Sequence, residues 1–132
     1  MNTHVEAALA AGQQAADSLD LVRSDISRAR TMMGSRSVLL QDLMKYSLPG
    51  HISTAAADIQ NYQAALQLVN PDLQLNLDAR YLWDEVMRFK NQTYGPVSQH
   101  IGWKYADSVN ALICDATRRV SIMQYALKKM YL

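Results

Sequence analysis

The sequence predicts an all-α protein, an elongated bundle of four to five helices in which the first and last helices are longest. Three observations predict it. Val5, Ala8, Gly12, Ala15, Leu19, Val22, Ile26, Ala29 and Met33 recur at alternating spacings of three and four. That rhythm keeps one face of a long helix apolar through about four heptads. The same rhythm returns in Ala55, Ile59, Tyr62, Leu66 and Val69, and again in Val109, Ile113, Ala116, Val120, Met123, Leu127 and Met130. Glycine and proline fall between these seams: Pro49-Gly50, Asn70-Pro71 and Gly95-Pro96 are breakers, with Gly34 a weaker one.

The first helix is expected to start at Thr3, because Thr3 and Glu6 have the spacing of a capping box. It should run to Met33 and stop at Gly34, a residue suited to the left-handed end of a helix. Gly12 lies on its seam between Ala8 and Ala15, so the seam is small at its start and bulky from Leu19 onward. Glycine inside a helix costs about 1 kcal/mol relative to alanine. Close approach of a neighbour is the compensating gain. No other part of the chain is an obvious partner for Ala8, Gly12 and Ala15, so these residues are expected to meet a neighbouring subunit.

A short second helix follows, capped by Ser35 or Ser37 and ended by Leu48-Pro49-Gly50. Val38, Leu39, Leu40, Leu43, Met44 and Tyr46 make it apolar on most sides, which predicts burial. Ser53 caps a third helix to Val69. Between Asp72 and Asp78 three leucines alternate with polar residues, which is the period of a strand. One strand has no partner in this chain. The stretch is expected to be a connector whose leucines dock on the core. Asp78 then caps a fourth helix carrying Leu82, Trp83, Val86, Met87 and Phe89. Tyr94-Gly95-Pro96 makes a turn, and the last helix runs from about Ser98 to the end. At ~1.5 Å per residue the first and last helices approach 45–50 Å. That outruns a compact globule with a radius of gyration of about 14 Å.

The chain has 132 residues, enough for a single domain spanning 1–132, and a formal net charge of +1. No global field draws in nucleic acid or anionic membrane. The acids are nearly all Asp, with Glu only at Glu6 and Glu85. Helices with so few Glu residues depend on packing to persist. No apolar run reaches the ~20 residues of a membrane span, and no secretory signal opens the sequence. Cys114 is the only cysteine, so no intrachain disulfide forms, which fits a reducing compartment such as the cytoplasm.

Catalytic signatures are sparse. His4, His51 and His100 lie more than a helical turn apart, and two Glu residues cannot build a dimetal carboxylate site of the ferritin-like kind. Neither metal nor cofactor is expected. Cys114 follows the apolar run Ala111-Leu112-Ile113 and reads as a core residue. A thiol enzyme would need His51 or His100 beside it. Asp84, Glu85 and Arg88 fit ordinary surface ion pairs, Asp84 to Arg88 and Glu85 to Arg88. Tyr81, Trp83, Phe89, Tyr94, Trp103 and Tyr105 flank the Gly95-Pro96 turn and are expected to gather as an aromatic mini-core at one end.

Basic residues form two groups. Arg23, Arg28, Arg30 and Arg36 surround the end of the first helix, and Arg118, Arg119, Lys128 and Lys129 fall near the end of the last. Side by side, the two helices would align Arg28, Arg30, Arg118, Arg119, Lys128 and Lys129 into a phosphate-binding stripe. The plainer reading is that cations complement helix C-termini. Asp115-Ala116-Thr117-Arg118-Arg119-Val120 resembles the run on the RNA-lining helix of tobamovirus coat proteins, four-helix bundles that stack around genomic RNA. The resemblance covers these six residues. The upstream Arg-rich strand region and the carboxylate clusters of that family have no clear counterpart here.

The leading functional expectation is a non-enzymatic structural or assembly subunit that works by helix–helix self-association or by docking a partner. Its interface is expected at Ala8, Gly12 and Ala15 and at the apolar end marked by Tyr125, Met130 and Tyr131. A viral structural protein or a secretion-apparatus component fits that reading. One alternative is a coat-like nucleic-acid binder using the basic groups. Another is a small helical ligand-binding protein or enzyme.

Overall fold

The computed structural model describes residues 2–33, 38–93 and 99–132, with only the backbone described at 93, 99 and 100. Helix α1 spans Thr3–Met32, α2 Val38–Asp42, α3 Leu48–Val69, α4 Ala79–Thr93 and α5 Gln99–Tyr131, with a π-helical turn Leu43–Ser47 joining α2 to α3. The described residues are helical throughout apart from helix ends and the 70–78 connector. The first and last helices are the longest of the described elements. Val5, Ala8, Ala15, Leu19, Val22, Ile26, Ala29 and Met33 are all buried, as are Ile113, Ala116, Val120 and Leu127.

The expected cap of α1 moves by one residue. Asn2, not Thr3, is the N-cap, and its side chain accepts from the His4 N–H at 2.9 Å. The stop at Gly34, the cap at Ser35 or Ser37 and the turn at Tyr94-Gly95-Pro96 lie outside the described residues.

Pro49 does not end a helix. Residues 38 to 69 are helical without interruption, so Ser53 caps nothing. The reason is the π-helical turn: the Leu48 N–H bonds to the Leu43 carbonyl, five residues back. One extra residue is thereby inserted just ahead of Pro49, which occupies the first turn of α3, where a missing N–H costs little. The expected burial of α2 is also corrected. Val38 is 69% exposed, Leu39 71% and Tyr46 65%. Before Leu48, Leu43 and Met44 are buried in this segment, and Leu40 packs partly against the core.

The connector behaves as expected. Leu75 is buried, and Leu73 and Leu77 pack partly against the same core. Gln63 of α3 holds it: its amide oxygen accepts from the Leu75 N–H at 3.1 Å. Asn76 takes a left-handed backbone, φ 56°, which asparagine tolerates better than most residues. Asp78 caps α4 by accepting from the Tyr81 N–H at 3.0 Å.

The packing is that of an up-down-up-down bundle. α1 packs against α3 and α5, and α4 packs against α3 and α5, so the four long elements close a ring around one core. Arg30 meets Asp107 near the start of α5, whereas Leu9 meets Gln124 near its end, so α1 and α5 run antiparallel. The head of the bundle is the end formed by the C-terminus of α1, α2 and the start of α3. The tail is the opposite end, where α5 finishes beside the start of α1.

Candidate functional site

Two polar contacts set the register between α1 and α3. Ser18 donates to Asp58, and one heptad along α1 Asp25 meets His51, one heptad back along α3. The Asp25 side chain is 1% exposed. Its Oδ1 accepts from Arg28 Nη2 at 2.6 Å, and its Oδ2 accepts from Ser47 Oγ at 3.0 Å and His51 Nδ1 at 2.6 Å. A buried carboxylate is tolerated only when donors surround it in this way.

Asp25, Ser47 and His51 are the residue types of a nucleophilic triad, but the arrangement is different. A triad uses opposite ring nitrogens for the carboxylate and the serine. Here Nδ1 faces both Asp25 at 2.6 Å and Ser47 at 3.4 Å. With Nδ1–H assigned as donor to the carboxylate, Ser47 has no base at that nitrogen and gives its own proton to Asp25.

The sequence reading missed this cluster because hydrophobic periodicity assigns polar residues to solvent. A signal existed: Ser18 and Asp25 are seven apart beside one seam, and His51 and Asp58 are seven apart beside the other.

Above the cluster, the head carries a groove of about 800 Å³ lined by Met32, Leu39, Leu43 and Tyr46, with Arg28, Thr31, Asp42 and Ser47 at its polar edge. The π-helical turn shapes it by widening the helix at Leu43–Ser47. A smaller recess of about 530 Å³ between α4 and α5 carries Glu85, Arg88, Lys104 and Tyr105.

The expected interface at Ala8, Gly12 and Ala15 is corrected: the chain itself covers it. Ala8 and Ala15 are fully buried. A Cβ on Gly12 would overlap Gln124 Oε1 of α5 and lie 2.8 Å from Tyr62 Cζ of α3. The Tyr62 hydroxyl donates to Gln124 Oε1 at 2.7 Å, and Gln124 Nε2 donates to the Leu9 carbonyl at 2.8 Å. Burial pushes the Tyr62 phenol well above its ordinary value. The other expected interface residues are open: Tyr125 is 63% exposed, Met130 55% and Tyr131 38%.

The cations do not assemble into one stripe. Because α1 and α5 are antiparallel, Arg28 and Arg30 lie at the head and Lys128 and Lys129 at the tail. All seven described arginines are ion-paired: Arg28 with Asp25, Arg30 with Asp107, and both Arg118 and Arg119 with Asp115. Hydrogen bonds from Arg118 and Arg119 hold the Asp115 carboxyl below its usual range. Lys129 sits over the Tyr125 ring, 5.6 Å from its centroid. Asp84 pairs with Arg80 rather than Arg88, which takes Glu85.

The aromatic residues are dispersed. Phe89 and Tyr105 meet at 5.8 Å. Trp103 instead packs under Arg30 and donates to its carbonyl, and Trp83 donates to Ser53. Tyr94 is outside the described residues. Cys114 is exposed on α5, not in the core. His51 is engaged by Asp25, and the side chain of His100 is not among those described. Among the described residues no group of three or more His, Cys, Asp or Glu is placed to hold a metal ion. No described helix is long and apolar enough to cross a membrane. In comparison with known proteins, no family model, no curated protein and no solved structure matches the chain.

Proposed function

We propose that this protein is a non-enzymatic assembly subunit, a rigid helical bundle that joins other protein through apolar surfaces at its two ends. One observation carries the reading. Of the twelve large apolar side chains exposed among the described residues, three lie on α2 and the π-helical turn and five on the last eleven residues. Scattered single exposures are normal on a monomer, whereas clusters of this kind mark contact surfaces. Tyrosine, present in both clusters, and methionine, present in the tail cluster, are favoured at such surfaces because they bury large area. The apolar seams support the reading in another way: the bundle's own core takes up the α1 seam from Val5 to Met33 and the α5 seam as far as Leu127, which leaves the ends for association.

The test is light scattering on size-exclusion fractions at micromolar concentration. The reading predicts particles of more than one chain, or a complex with a protein partner carried through purification. A particle of one chain at every concentration, with no partner retained, counts against it.

A further inference from the structure

The assembly reading leaves open what each end meets, and the inference here rests on that reading. We propose that the two ends meet each other: the last two turns of α5 in one copy seat in the head groove of the next, so that copies of this chain join head to tail.

The shapes are complementary. The head is concave, a groove with an apolar wall of Met32, Leu39, Leu43 and Tyr46. The tail is convex. Leu127 is the last buried residue of α5, and residues 128–132 are all exposed. Met130 and Tyr131 share the final turn with Lys128 and Lys129, and Leu132 follows its last residue, so this end carries apolar and basic side chains together. A groove of about 800 Å³ is in the range that encloses a ligand of drug size, which is also the size of two or three large side chains.

The charges agree as well. Lys128 and Lys129 make no ion pair with any described residue, and residues 116–132 contain no acid. At the groove, Asp42 is exposed and makes no ion pair with a described residue, while Arg28 is already committed to Asp25. Lys45 is the opposing cation, and it leans over the Tyr46 ring at 5.5 Å. Tail against tail would set Lys128 and Lys129 against their own copies. Head against head would leave both grooves unfilled.

The exposed apolar side chains of the two ends together offer roughly 1,000 Å², the low end for a specific interface, which predicts reversible association. Head-to-tail contact is heterologous, so it propagates into a ring or filament instead of stopping at a dimer.

Two full-length variants test this. The head variant carries Leu39→Asp and Tyr46→Asp, and the tail variant carries Tyr125→Asp and Met130→Asp. All four side chains are more than half exposed, so the core is untouched. If either double variant loses its cooperative melt, Tyr46→Asp and Tyr125→Asp alone carry the same test. In sedimentation velocity, wild type should form oligomers larger than a dimer. Each variant alone should sediment as one chain. Their equimolar mixture should sediment at twice that mass, because one intact tail meets one intact groove. A variant that dimerises alone, or a mixture that stays monomeric while wild type assembles, overturns head-to-tail joining and leaves the assembly reading standing. Wild type that never exceeds one chain overturns the assembly reading itself.

Discussion

Replacing Gly12 with alanine should destabilise this bundle, although the same change would stabilise an isolated helix. Helix propensity alone favours alanine by about 1 kcal/mol. Against it stands the space: the new methyl would overlap Gln124 Oε1 and come within 2.8 Å of Tyr62 Cζ. Gln124 is the flexible partner, yet it is held at both ends of its amide by Tyr62 and the Leu9 carbonyl. If it swings away, the hydroxyl of a fully buried tyrosine loses its acceptor, at about 1–3 kcal/mol. If it stays, overpacking costs about 1–3 kcal/mol. The net expectation is a loss of about 1 kcal/mol, up to about 2. A chain of this length loses about 4 °C in melting temperature per kcal/mol, so the midpoint should fall by about 4 °C. Gly50→Ala is the control, because a Cβ there meets nothing within 4 Å, and it should raise the midpoint. Thermal unfolding followed by far-UV circular dichroism reads both. Adding Gln124→Ala should relieve much of the Gly12→Ala penalty, which a double-mutant cycle measures. A Gly12→Ala protein that melts higher, like Gly50→Ala, would refute the claim that α3 and α5 close over this glycine.

Three further outcomes follow from the same contacts. Asp25→Ala strips three donors of one buried acceptor and should cost about 3 kcal/mol in urea unfolding, the Arg28 and His51 donors being partly solvated. Asn76→Ala should cost about 1 kcal/mol because its φ is 56°, whereas Asn76→Gly should cost nothing or stabilise. Tyr62 has its folded-state pKa raised by burial, so its contribution is fully present below the ordinary tyrosine value of about 10 and is lost as pH rises through the folded value. Wild type should therefore lose stability on alkaline titration above about pH 10, and Tyr62→Phe should flatten that slope; an unchanged slope would contradict the assignment.

The helices and their inward faces were legible because spacings of three and four leave little freedom in what an amphipathic helix buries. Every apolar seam residue of α1 from Val5 to Met33 is buried. The partner of the small half of that seam was not legible. Gln124 fills the space over Gly12, and a glutamine carries no apolar signal. The continuity through Pro49 was hidden for a related reason: proline forbids the ordinary helical hydrogen bond, but a five-residue step ahead of it removes the conflict. Composition alone reads an all-round apolar segment such as α2 as buried, but Val38, Leu39 and Tyr46 are exposed. At the tail, Met130 is the seam residue beyond Leu127, the last buried residue of α5, and it is exposed together with Tyr125 and Tyr131. The basic stripe failed on topology, since antiparallel packing sends its two halves to opposite ends.

We propose that this bundle works by association through its ends, and sedimentation equilibrium over the micromolar range reads that association. Wild type should show a weight-average mass that rises with concentration above that of one chain. The Tyr125→Asp and Met130→Asp tail variant, with an unchanged melt, should lose that rise. A wild-type mass that stays at one chain throughout would contradict the claim.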